Sequence, residues 1–193
     1  VQRRGVERAQ AILDAAEALL GEQGYEAATL KAISDRARIP LASVYHYFAD
    51  RNQVDTELAL RHTHELDERL DAALNRAEPD TLRAVCDTVI DELLAYFRAY
   101  PSFVELWYAG RSAPLRELAQ AFDMAQAKRL RRFLIERDLI RADVSELVVQ
   151  LALEAGDRLF DVAFRDSSTG DRATIDEARR LVTAYLETYA PQA

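Results

Sequence analysis

Apolar residues recur at helical spacing along almost the whole of this chain, and the alternation that marks a half-buried strand is nearly absent. A chain patterned in this way can bury its apolar stripes only by packing helix against helix, so an all-α fold is expected. Ala9, Ile12, Leu13, Ala16, Leu19 and Leu20 share one side of a first helix, which Gly21 and Gly24 close before Tyr25. Thr29 is placed to cap a second helix running through Arg36, and Pro40, whose fixed φ suits a first turn, precedes a third from Leu41 to Phe48. Longer helices are expected from Asn52 to Arg76, and from Pro79-Asp80-Thr81 through Phe97 to a stop at Pro101. A short aromatic helix, Phe103 to Ala109, ends at Gly110, and Pro114 starts another that reaches Arg137. Asp143-Val144-Ser145 caps one reaching Phe164; after the loop Ser167–Gly170 a last helix runs from Ala173 to Tyr189. The expectation is about nine helices with no repeat of fixed period.

A length of 193 residues suits one domain, or one compact body with a small appendage, and needs no disulfide or metal staple to fold. The net charge of −8 disfavours indiscriminate adhesion to nucleic acid or membrane but leaves room for a local basic patch. Cys86 is the only cysteine, so neither an intramolecular disulfide nor a Cys-based zinc site can form, which fits a reducing cytoplasm. It falls on an apolar helical face with Val85, Val89 and Leu93, the place of an inert core thiol. No apolar run is long enough to span a bilayer, and the first residues lack a signal core, so a cytoplasmic chain with no membrane partner is expected.

Catalysis finds no foothold. Glu-x-x-His pairs, a G-x-S-x-G elbow and a Gly-rich phosphate loop are all missing. His62 and His64 lie two apart on a helix and do not share a face. No enzyme activity, metal or cofactor is expected.

The informative stretch runs from Thr29 to Val54. Two helices of roughly seven residues joined through Ala37-Arg38-Ile39-Pro40 have the proportions of a helix-turn-helix, whose second helix lies in the major groove. At 1.5 Å per residue that second helix is only about 12 Å long, enough for a few base contacts. A dimer reading two half-sites is therefore expected. Here the chain resembles the TetR family of bacterial transcriptional regulators. The resemblance is carried by Ile12-Leu13-Asp14-Ala15-Ala16, Gly24-Tyr25, Thr29, Ile33 and Ala37, and above all by Val44-Tyr45-His46-Tyr47-Phe48-Ala49-Asp50-Arg51.

The resemblance implies a DNA-binding domain over residues 1–51 and a helical ligand-binding and dimerisation domain over 52–193. It places Leu41, Ala42, Ser43 and His46 against base edges: Leu41 and Ala42 on thymine methyls, Ser43 and His46 as hydrogen-bonding readers. Thr29, Lys31, Tyr45, Tyr47 and Arg51 would hold phosphates, and Arg3 and Arg4 would form a flexible arm on the backbone or in the minor groove. Three features depart from the family pattern. Arg38 stands where the turn usually has glycine, and reaches a phosphate or carries strain there; Pro40 replaces the usual capping Ser or Thr; and residues 1–50 hold six basic side chains against seven acidic ones.

Beyond the motif, aromatic residues cluster mid-chain, either as core or around an effector pocket. The expected effector contacts are Tyr96, Tyr100, Phe103, Trp107, Phe122 and Phe160, with Gln126 and Arg129 as polar groups that meet a ligand, solvent or a dimer partner. The Val144–Phe164 helix is apolar nearly all round except for a row at Gln150, Glu154, Asp157 and Asp161, so it must be covered on more than one side. With the last helix it is the expected homodimer surface, where Ala152, Ala155 and Gly156 would permit close approach. The function expected is a one-component regulator acting as a repressor: a homodimer on a palindromic duplex operator, released by a small apolar or amphipathic effector. The alternative is a ligand-binding or protein-interaction dimer with a weakened DNA-binding module.

Overall fold

The computed structural model describes residues 2–110 and 112–191, and within them every regular element is helical. In chain order these are α1 (Gln2–Gln23), α2 (Leu30–Ala37), α3 (Leu41–Tyr47), α4 (Arg51–Ala77), α5 (Leu82–Ala99), α6 (Pro101–Ala109), α7 (Ala113–Glu136), α8 (Glu146–Phe164) and α9 (Arg172–Glu187). The nine helices among the described residues follow the expected order and differ mainly at their ends. Gly21 lies inside α1, and Gly24, at φ 82°, is the residue that ends it. Pro101 stands at the first turn of α6 rather than only stopping α5, since its missing N–H is one that a first turn leaves unpaired anyway. Ser145 occupies the cap of α8 without a side-chain capping bond. Thr29 caps α2 as expected, its Oγ1 accepting from the Ala32 N–H at 3.2 Å.

The chain divides into two compact units. The first comprises the residues through His64 together with Tyr100–Ala119. Its core joins Ile12, Leu19 and Leu20 of α1 to Ile33 of α2, Val44 of α3, Leu58 of α4, Leu106 of α6 and Leu115 of α7. The contacts thus part the chain elsewhere than at residue 51, because α6 packs on α1 and the opening half of α4 belongs to the same core.

The second unit takes Glu65–Ala99 and the chain from Gln120 onward. Its core joins Val85 and Cys86 of α5, Ala127 and Leu134 of α7, Val149 and Ala152 of α8, and Leu186 of α9. Cys86 is buried there, and burial raises its thiol pKa. The small residues of α8 serve this subunit's own packing: Ala152 points into the core, and the bare face of Gly156 meets Val182 of α9, 3.6 Å from where a Cβ would stand. The expected use of both in close approach to a partner is therefore corrected. The large apolar residues that α8 and α9 leave exposed are Leu147, Leu151, Val162 and Leu181. Among the described residues no helix is long and apolar enough to cross a membrane, and no group of three His, Cys, Asp or Glu residues could hold a metal ion.

Candidate nucleic-acid interface

Helix α3 is seated by two side chains four residues apart, Val44 at 0% and Phe48 at 6% exposure, which dock one of its faces on the first core. The opposite face must then point out: Ala42, Tyr45 and His46 are exposed, while Leu41, Ser43 and Tyr47 are half-buried at the flanks. The His46 ring meets the Tyr47 ring edge-on at 5.4 Å, which orients the imidazole.

The turn between α2 and α3 is fixed locally. Ser34 Oγ donates to the Ile39 carbonyl at 2.7 Å, and the Ile39 N–H returns a bond to the Ser34 carbonyl at 3.1 Å. Arg38 ends α2 in the left-handed region, at φ 55° and ψ 37°, so the strain expected at this position is present. A depression of about 420 Å³ lies over the turn, lined by Lys31, Ser34, Asp35, Arg38, Ile39, Pro40 and Leu41. No described contact engages the Arg38 side chain. Lys31 is exposed and pairs with Asp35 at 3.0 Å, a surface ion pair of the kind that exchanges readily.

Arg3, Arg4 and Arg51 are placed differently from expectation, and Arg36 is held by α1. Arg3 and Arg4 lie within α1, with Arg3 paired to Glu7 at 3.0 Å, so the flexible arm is a helical turn. Arg36 makes a bidentate pair with Glu22 of α1, which holds that carboxyl below its usual range. Arg51, expected on a phosphate, is turned inward. Its Nε donates to Asp55 Oδ1 at 2.6 Å, and its other nitrogens reach the carbonyls of Ala28 and Tyr25. The reason is Asp55, a fully buried carboxylate one turn along α4 that needs a cation beside it. Tyr25 completes the cluster, its hydroxyl donating to Asp55 Oδ2 at 2.7 Å. Burial first, and that bond second, push its pKa up to about 12.

The first unit holds a further buried polar group, at a histidine that the sequence reading weighs only as half of a metal pair. His62 of α4, 2% exposed, lies with Nε2 3.1 Å from Glu17 Oε1, and Arg61 pairs with the same carboxylate. The His62 bond is the main reason the Glu17 pKa falls.

The expected effector residues fall in both units. In the first, His62 stacks on Phe103 at 4.9 Å and meets Tyr100 edge-on at 5.3 Å, and Phe103 lies 5.2 Å from Trp107. In the second, Tyr96 is fully buried beneath the Arg69 guanidinium, Phe160 packs edge-on against Phe97, and Phe122 is half-buried. Gln126 and Arg129 both bind Asp67 of α4, at 2.5 Å each, and Arg129 Nε is buried with no acceptor. On α8, Gln150 donates to Glu154 at 2.8 Å, and Asp161 pairs with Arg158 and Arg165.

Comparison with known proteins matches both parts of the chain. Residues 12–54 fit the family model of bacterial regulatory proteins of the tetR family, and residues 81–186 that of a tetracyclin repressor-like C-terminal domain. A TetR-family transcriptional regulator from Streptomyces coelicolor is 34% identical over 94% of this chain and 99% of its own, with a TM-score of 0.73. The fatty acid degradation regulator FadR from Bacillus halodurans shares the fold at 15% identity, covering 91% of this chain and 94% of its own, with a TM-score of 0.71. RolR, solved with resorcinol, does so at 13% identity, covering 100% and 99%, with a TM-score of 0.70. No curated protein matches the chain.

Proposed function

Because the chain belongs to the TetR family of one-component transcriptional regulators, we propose that it is a homodimeric repressor that reads a palindromic operator through α3 and leaves it when a small effector binds. The observation that carries the reading is the orientation of α3: two side chains anchor it and its Ala42, Tyr45 and His46 face stands in solvent. Leu41, Ala42, Ser43 and His46 read base edges, with Thr29, Lys31, Tyr45, Tyr47 and Arg38 on phosphates. One such surface gives little specificity alone. Dimerisation through α8 and α9, supported by the exposed Leu147, Leu151, Val162 and Leu181, supplies the second copy about one duplex turn away, roughly 34–36 Å.

The effector is an apolar or amphipathic molecule bound among the aromatic helices. Resorcinol on RolR and the fatty-acid role of FadR, both in the same fold, support that class. Helix α4 is the element that transmits the signal, because Asp67 on it holds Gln126 and Arg129 of α7, and a ligand that competes for either group displaces it. A coupling of about 1–3 kcal/mol, or 5- to 150-fold in operator affinity, is what such a shift delivers.

Selection of bound duplexes from a random pool tests this. Inverted half-sites are expected, with log affinity falling against log salt by about 0.9 per neutralised phosphate. A pool that yields no enriched sequence would favour the second reading, a ligand-binding or protein-interaction dimer with a weakened DNA module. The inward placement of Arg36 and Arg51 is the observation on its side.

A further inference from the structure

Asp55 is fully buried, and a carboxylate removed from water keeps its charge only beside a cation and hydrogen-bond donors. Arg51 Nε and the Tyr25 hydroxyl take one oxygen each, at 2.6 and 2.7 Å. The Arg51 guanidinium also lies 4.7 Å from the Tyr25 ring centroid and donates to the carbonyls of Ala28 and Tyr25. Every nitrogen of the fork is therefore engaged, and the side chain is only 21% exposed. A further strand reaches α6: the Tyr25 N–H donates to Glu105 Oε2 at 3.1 Å.

The positions of these residues matter more than their number. Tyr25 and Ala28 lie just before α2, whereas Arg51 and Asp55 lie just after α3. The cluster thus fastens together the two ends of the segment that carries the reading helix. We infer that Arg51, Asp55 and Tyr25 form a staple that fixes the angle at which α3 is presented, with Arg51 a positioning residue and not a phosphate contact. A guanidinium is suited to this because its planar fork grips a carboxylate and two carbonyls at once, which an ammonium cannot do. The inference rests on α3 being the operator-reading helix.

Charge alone and the staple predict opposite signs for Asp55→Asn. Removing an anion near bound DNA strengthens binding if Asp55 acts only through its charge; loosening the staple weakens it. Arg51→Lys separates the same alternatives, since lysine serves a phosphate well as a point charge but cannot replace the fork. Full-length dimer is titrated with the selected operator and with a scrambled duplex over a salt series, alongside thermal melts.

Asp55→Asn is expected to lower operator affinity about 10-fold or more, as breaking a buried ion pair does, and Arg51→Lys and Tyr25→Phe by smaller factors. Scrambled-duplex affinity and the salt slope stay as in the wild type, a split that general loss of fold would not give. If Asp55→Asn does not melt cooperatively, the other two variants decide. Operator affinity unchanged in Arg51→Lys, or a salt slope reduced by about 0.9 per subunit in Arg51→Gln, would overturn the proposal. Should the wild type itself bind no duplex, the operator reading fails separately. Amide exchange over residues 30–47 then decides the staple, faster exchange in Arg51→Lys supporting it and unchanged exchange refuting it.

Discussion

Arg38→Gly acts on folding and on DNA binding in opposite directions, and both sizes follow from the turn. At φ 55° and ψ 37° an L-residue with a Cβ is disfavoured by about 1 kcal/mol. Glycine removes that strain but gives back part of it through its freer unfolded chain, leaving a net gain of about 0.5 kcal/mol. For a chain of this size that corresponds to a rise of roughly 1–2 °C in melting temperature. On the DNA side, one phosphate contact with a salt slope near 0.9 amounts to about 1 kcal/mol at physiological salt relative to 1 M. Two copies in the dimer make about 2 kcal/mol, or roughly 30-fold, and reduce the slope by about 1.8. Scanning calorimetry and fluorescence anisotropy on the selected operator, repeated over a salt series, measure both. A melting temperature that falls would refute the strain argument. An unchanged slope would refute the phosphate contact, whatever the affinity does.

Ser43→Ala and His46→Ala should alter the ranking of sequences in a binding selection, whereas Tyr45→Ala should weaken all duplexes alike by about 1 kcal/mol. Leu151→Glu places a charge in the exposed apolar row of α8; ultracentrifugation should show monomer, and operator affinity should fall by more than about 100-fold because half-sites are then read singly. Burial raises the Asp123 pKa from 3.8 to about 7, with the charges of Asp157 and Glu154 adding to it. The folded state then holds the proton more tightly than the unfolded one, so this group's contribution to stability declines as pH rises from about 4 to about 7. Asp123→Asn should accordingly be more stable than wild type by about 1 kcal/mol near pH 8 and no more stable near pH 4, a discounted figure for a partly exposed group. Cys86, buried with a raised thiol pKa, should react with a disulfide reagent at least about 100-fold more slowly in the native protein than in denaturant.

What could be read in the sequence was whatever depends on neighbours along one helix. The Thr29 cap follows from its place before α2, whereas the outward placement of Tyr45 and His46 follows from the family resemblance, since spacing alone also lets Tyr45 share the buried side of Phe48. Arg51 was misplaced because its direction is set by residues from another segment. Asp55 at i+4 is a local signal that could have suggested the pair, but its complete burial depends on Tyr25 and the α1–α2 corner. Glu105 and Leu106 of α6 lie far along the chain from the helices they join, and nothing in the motif pointed to them. The roles of Ala152 and Gly156 were ambiguous for a related reason: a small residue announces close approach but not whose helix approaches.

Because Leu58, Leu106 and Leu115 complete the core that seats α3, the helix-turn-helix is not severable at the end of its own motif. A fragment cut after residue 51 would lose all three along with Asp55, and would present bare apolar surface in place of a folded head. Anyone grafting this module onto a relative must carry α6 and the start of α7, through Ala119, across with the chain as far as His64.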